Sequence, residues 1–276
     1  MPQLSTDFLT LPRAAVGRRT VSSCVQGERL KIMKAQLVSD VHSEFYADAV
    51  AFLRSLEFAP GLDFLIVPGD VVVPASQGRE TTQAAFSFLS QQARHVIYVA
   101  GNHEYYNATR EQAEGTLRAC MPPNFHWLRN SEETIEGVHF FGGVMWFPFD
   151  SRNPIYEDQL NDFRLIRGSR EWVYEENALF ADAAQRMVAP GTVVLSHHVP
   201  SYQCVHSRFR GDELNRFFVS EMGPLIEEKR PRLWVYGHTH LAHRCQIGGT
   251  DVVANPFGYP HERRVGAEYP CVVFEV

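Results

Sequence analysis

Five apolar, β-branched runs in this chain each stop at a short polar tag. In order, the tags are Asp40-Val41-His42, Gly69-Asp70, Gly101-Asn102-His103-Glu104, Ser196-His197-His198 and Gly237-His238-Thr239-His240. Any one of them alone is an ordinary turn or cap. All five together, each directly after a strand-like run, restrict the chain to an α/β sheet whose carboxyl edge is crowded with aspartate, asparagine and histidine. Ligands of α/β sheets collect at that edge. The tags supply two aspartates, one asparagine and four histidines that can bind metal, with His103 left over. That suffices for two adjacent transition metals sharing one bridging aspartate.

Between the tags the periodicity alternates. Strands are expected at residues 35–38, 63–67, 95–99, 192–195 and 233–236, and helices at 47–56, 80–93, 109–119 and 171–188. Residues 134–146 read as a hairpin and 212–228 as one or two helices. Residues 244–248, 251–254 and 271–274 read as antiparallel strands. Two packed mixed sheets with helices outside would use all of these strands; an open, doubly wound single sheet is the alternative. No periodicity is evident before Leu30. We therefore expect a loosely attached N-terminal extension over residues 1–32 and one domain over 33–276.

Composition excludes several classes. The net charge of -6 leaves no basic excess to neutralise phosphates, so nucleic acid is not an expected partner. No run approaches the roughly 18 apolar residues of a membrane helix. Arg13, Arg18 and Arg19 have no apolar stretch behind them, so the start does not read as a secretory signal. The five cysteines are odd in number, widely spaced and without a C-x-x-C pair. This favours reduced thiols and a cytoplasmic setting, and argues against a cysteine zinc site.

The tags differ in what they offer. In an extended segment Asp40 and His42 would point to one face. Asp70 follows a glycine, which permits a sharp turn and close approach. Asn102 brings a neutral amide oxygen; His197, His238 and His240 bring nitrogens. Such mixed ligation suits manganese, iron or zinc better than magnesium or calcium alone.

In this order, D-x-H, G-D, G-N-H-E, H and G-H-x-H resemble the calcineurin-like metallophosphoesterase superfamily, over Lys34 to about Tyr259. The resemblance implies a four-layer α/β/β/α sandwich of two mixed β-sheets flanked by helices. It implies two divalent transition metal ions, manganese favoured. Asp40, His42, Asp70 and His240 would hold one ion; Asp70, Asn102, His197 and His238 the other. His103 would be the catalytic histidine beside the phosphate. His197 is preferred to His198 as the ligand because it directly follows the strand and its small residue, leaving His198 to pack beside it or touch substrate.

Departures narrow the expectation. Gly69-Asp70 continues as Val71-Val72-Val73-Pro74, so the carboxylate that orients the histidine in the protein serine/threonine phosphatases is missing at Val73, and Ala100 stands where their arginine would precede G-N-H-E. Glu104 is the candidate partner for His103. Asn161-Asp162-Phe163-Arg164 and Asn255-Pro256-x-Gly258-Tyr259 resemble compact bacterial metallophosphoesterases. Arg164 could neutralise a phosphate oxygen, Asn255 could hydrogen-bond a ligand, and His206 could line the substrate entrance. Trp146, Phe147, Phe149, Tyr156 and Phe163 could form a substrate wall or a core cluster. His95, His126, His139, His243 and His261 read as structural. The expected activity is hydrolysis of a small-molecule or nucleotide phosphate ester, diesters preferred, by direct attack of a hydroxide bridging the metals. A nucleotide-sugar pyrophosphatase is the enzymatic alternative. A non-catalytic scaffold on the same fold is the other, but it would typically lose His103 or several ligands.

Overall fold

The computed structural model describes residues 33–262 and 269–276. The extension expected over residues 1–32 lies outside the described residues. The elements begin β1 (Lys34–Leu37), α1 (Ala49–Arg54), β2 (Leu62–Val67), α2 (Pro74–Ser90), β3 (Ala93–Tyr98) and α3 (Arg110–Cys120). Next come β4 (Phe125–Trp127), β5 (Ser131–Ile135), β6 (Val138–Gly143), α4 (Asn153–Tyr156), α5 (Asn161–Leu165) and α6 (Val173–Met187). The remainder is β7 (Val193–Ser196), α7 (Gly223–Lys229), β8 (Leu233–Tyr236), β9 (His243–Ile247), β10 (Thr250–Ala254) and β11 (Val272–Glu275).

Among the described residues the strands form two mixed sheets, ordered β11-β1-β2-β3-β4 and β5-β6-β7-β8-β10-β9. The single-sheet alternative is thereby excluded. Strand alternation then fixes the layers, because successive side chains point to opposite faces. Ala35, Leu37, Phe64, Ile66, Ile97 and Val99 of the first sheet share one core with Val193, Leu195, Leu233 and Val235 of the second. Their neighbours Leu65, Val67, Val96 and Tyr98 face the other way, against Leu53, Phe86, Leu89 and Leu117 of α1–α3. On the far side Val194, Trp234 and Tyr236 pack on Phe180 and Ala184 of α6 and Ile226 of α7. The result is helix, sheet, sheet, helix. Each fully buried Leu, Ile or Phe contributes about 1.5–3 kcal/mol relative to exposure.

Several boundaries differ from expectation for identifiable reasons. The helix expected at 80–93 starts earlier, at Pro74, which tolerates the first helical turn, and bends at Gly78, where φ is 83°. The expected hairpin turns at Glu136-Gly137, both at positive φ, the pairing a tight two-residue turn requires. Residues 212–228 contain a short 3₁₀ stretch, Glu213–Phe217, before α7. The C-terminal strands are antiparallel only in part. β9 runs antiparallel to β10, but β10 is parallel to β8, and β11 pairs antiparallel with β1 in the other sheet. Strands β1, β2 and β3 are parallel neighbours, as are β7 and β8. Their carboxyl ends carry the five tags.

Candidate metal centre

The tags do not continue their strands. Asp40, His42, Asp70, His238 and His240 all lie at positive φ (51, 47, 53, 71 and 51°). Non-glycine residues rarely adopt this region, at a cost of order 1–3 kcal/mol each. The extended arrangement expected for Asp40 and His42 is therefore replaced by consecutive tight turns, because the backbone leaves the sheet after Leu37. Gly69, at φ 88°, lets the loop after β2 press on the loop after β3; a Cβ there would collide with the Gly101 backbone. Glu104 clamps the same two loops. Its Oε1 accepts N–H groups from Val71 (2.7 Å) and Val72 (3.3 Å), and its Oε2 accepts those of Asp70 (3.0 Å) and Gly101 (2.7 Å).

Two groups of donors result. Asp40, His42, Asp70 and His240 place one ligand atom each within 4.8 Å of one another, and so do Asp70, His197 and His238. Asp70 belongs to both. Its Oδ1 accepts the His103 N–H at 2.9 Å, while its Oδ2 lies 3.6 Å from His42 Nε2 and 3.3 Å from His197 Nε2. Asn102 Oδ1 lies 2.9 Å from His197 Nε2 and thereby joins the second group. His42 Nε2 and His240 Nε2 approach to 2.8 Å.

Several of these atoms are aimed from behind. His197 Nδ1–H donates to the Pro68 carbonyl at 2.7 Å, which directs Nε2 at Asp70 and Asn102. The Asn102 amide donates to Asp162 (2.8 Å), fixing its oxygen toward His197. His240 Nδ1 pairs with Glu262 at 2.7 Å, and His42 Nδ1 with Glu44 at 3.0 Å. Carboxylates behind metal-ligating imidazoles fix tautomer and ring orientation in this way. Asp40 Oδ2 and His238 Nε2 are buried with no hydrogen-bond partner among the described residues. Orphaned donor atoms of this kind are costly in a protein interior and fit a divalent cation. The donor set holds carboxylate, amide and imidazole groups, without thiolate.

The electrostatics are dominated by Asp70. Burial alone would raise its carboxyl, but His197, His103 and His42 hold it well below the usual range. Burial lowers the His197 and His103 imidazoles, yet Asp70 outweighs it and lifts them to about 10 and about 9; Glu44 assists at His103. Burial, with neighbouring imidazoles, drives His238 and His198 well below their ordinary value. Burial and Asp70 push Glu104 up to about 7, against the N–H groups that favour its ionised form. A bound cation would reverse much of this by offsetting Asp70.

The partner expected for His103 is corrected. Glu104 is occupied by backbone N–H groups, and His103 Nδ1 pairs with Glu44 at 2.8 Å. On its other side, His103 Nε2 lies 3.1 Å from the Tyr259 hydroxyl. Asn255 is also corrected, since its amide donates to the Leu37 and Pro270 carbonyls and, among the described residues, to none of the candidate metal donors. His198 is fully buried against Trp146, Phe147 and His238 and lies off the cavity wall, which leaves it no route to substrate. A cavity of about 470 Å³ opens over Asp70, Asn102, His103, His238 and His240, and Arg164 and His206 lie on its wall. Of the aromatic group, Trp146, Phe147 and Phe163 are core residues, and none of the five lines that cavity. The residues missed were Glu44 and Glu262, with the roles of Asp162 and Tyr259. Glu44 sits at the alternate position after His42, a visible but weak signal.

A family model for calcineurin-like phosphoesterases matches residues 33–242. An uncharacterised protein, L509 of Acanthamoeba polyphaga mimivirus, is 24% identical over 263 residues, covering 82% of this chain and 91% of that protein. Among solved structures, the phosphopantetheinyl hydrolase PptH of Mycobacterium tuberculosis superposes with a TM-score of 0.70 at 18% identity, over 89% of this chain and 96% of that one. That likeness concerns the fold. The matched segment spans most of the chain and contains all five tags, and the chain belongs to the calcineurin-like phosphoesterase family.

Proposed function

We propose that the chain is a dinuclear metal-dependent hydrolase of small-molecule phosphate esters, with diesters preferred. The observation that carries this reading is the position of Asp70 Oδ2, between His42 Nε2 at 3.6 Å and His197 Nε2 at 3.3 Å, so that one carboxylate joins two donor groups. Asp40, His42, Asp70 and His240 would hold one ion, and Asp70, Asn102, His197 and His238 the other. Two divalent cations there would polarise phosphate oxygens and lower the pKa of water held between them toward neutrality.

The chain's own groups supply the rest. His103 would act in its protonated form, which its Glu44 carboxylate partner favours. Glu44 holds its Nδ1 side, leaving Nε2–H toward Tyr259 and the cavity. From there it can donate a proton to the leaving oxygen, a role worth roughly 10²–10⁴ in rate. Arg164, hydrogen-bonded to Asn161 at 2.6 Å on the cavity wall, presents a guanidinium to a non-bridging phosphate oxygen. Displacement without a covalent phosphoenzyme inverts configuration at phosphorus.

The test is a panel of aryl monoesters, bis-aryl diesters and cyclic and linear nucleotides, assayed with manganese, zinc or iron and with chelator. Metal-dependent hydrolysis, lost in Asp70→Asn together with both ions, is expected. Full activity and two tightly bound ions in Asp70→Asn would overturn the shared-carboxylate assignment. Net retention at phosphorus would overturn direct displacement.

A further inference from the structure

A second cluster of donors reaches the wall of the same cavity through Cys204 and His243 and shares no residue with the proposed dinuclear centre. Cys204 closes a 3₁₀ turn, Tyr202–Cys204, and is buried. His243 and Cys245 alternate along the edge strand β9, so both side chains leave it on one face. Cys204, His243 and Cys245 place one donor atom each within 4.8 Å of one another. Cys204 Sγ and Cys245 Sγ are 3.7 Å apart. Two thiolates on a tetrahedral zinc ion, each at about 2.3 Å from the metal, stand about 3.8 Å apart, and a zinc-bound imidazole nitrogen stands about 3.6 Å from either sulfur. The pair is thus spaced as zinc ligands, with one imidazole beside it. The Tyr236 hydroxyl lies 3.1 Å from His243 Nδ1.

We propose that Cys204, Cys245 and His243 form a separate site for a thiophilic d¹⁰ cation, zinc in the first instance. Soft sulfur ligation selects zinc over manganese or magnesium, so the two centres would sort different ions. A catalytic thiol is the weaker reading, because burial raises both thiols and leaves little thiolate to attack. The wide spacing of the cysteines concealed the site from the C-x-x-C criterion: the topology places residue 204 beside 243 and 245. Its consequence is mechanical. An ion there would pin the turn at 202–204, and the cavity wall that follows it, to the edge of the second sheet.

The experiment uses full-length, fully reduced protein titrated with cobalt(II) and then zinc. Thiolate-to-cobalt charge-transfer absorption in the near ultraviolet separates a cysteine site from the dinuclear centre, which has no sulfur, and its loss on substituting Cys245 assigns it to this one. One equivalent giving that band, bleached by zinc, is expected in the parent and in Asp70→Asn. The band should be lost in Cys245→Ser and in His243→Gln, two substitutions at partly exposed positions whose folding is checked by circular dichroism. Absence of the band, or its persistence in folded Cys245→Ser, overturns the proposal. So does a Cys204–Cys245 disulfide, seen as a loss of two hydrogens by intact mass, that upon reduction still takes up no zinc.

Discussion

Glu104→Gln isolates the clamp between the loops after β2 and β3. The carboxylate is fully buried and accepts four backbone N–H groups, two on each oxygen. A glutamine keeps one acceptor and presents an NH₂ to the other pair. Whichever way the amide sits, two buried N–H groups lose their acceptor. Each costs about 1–3 kcal/mol, or about 2–6 kcal/mol together, a large share of a typical stability of about 5–15 kcal/mol. Urea unfolding with chelator present, so that metal binding does not mask the loss, should show a lower midpoint with an unchanged slope. Amide exchange at Asp70, Val71, Val72 and Gly101 should accelerate more than in the strands beneath. A variant within about 0.5 kcal/mol of the parent, with those four amides equally protected, would refute the clamp.

Glu44→Gln should lower kcat by roughly 10–100-fold, read from steady-state kinetics at saturating manganese with metal content measured in parallel. Asp162→Ala should weaken metal affinity by roughly 10–100-fold, because Asn102 loses the acceptor that aims its oxygen; competition with a chromophoric chelator measures this. Manganese supplied at 100 times its dissociation constant should stabilise the fold by about 2.7 kcal/mol per site, seen as a rise in Tm that Asp70→Asn abolishes. A Tm insensitive to manganese, zinc and iron would contradict the donor assignment.

The layers were legible because strand periodicity survives in Ala35–Leu37, Phe64–Val67 and Val193–Leu195, where one residue faces each core. The tags were legible because each follows such a run. What stayed hidden was decided by tertiary contact. Glu104 and Glu44 are both acidic residues near His103 in sequence or space, and only the fold shows that one serves backbone N–H groups and the other the imidazole. Asn255 sits beside a proline where it could have backed a ligand, yet its amide holds the chain to the Leu37 carbonyl of β1. Helix α2 began earlier than its apolar spacing suggested because Pro74 and Gly78 break the pattern, and β4, at three residues, is too short to show alternation.

Glu44 Oε1 stands 3.0 Å from His42 Nδ1 and 2.8 Å from His103 Nδ1. One oxygen atom is thus held in common by an imidazole that would grip a cation and by the imidazole that would surrender a proton. Loading the ion draws electron density through the first ring and must be felt at the second. Occupancy and acidity would then be wired together, so a chain stripped of its ions should differ in its proton donor as well as in its cations.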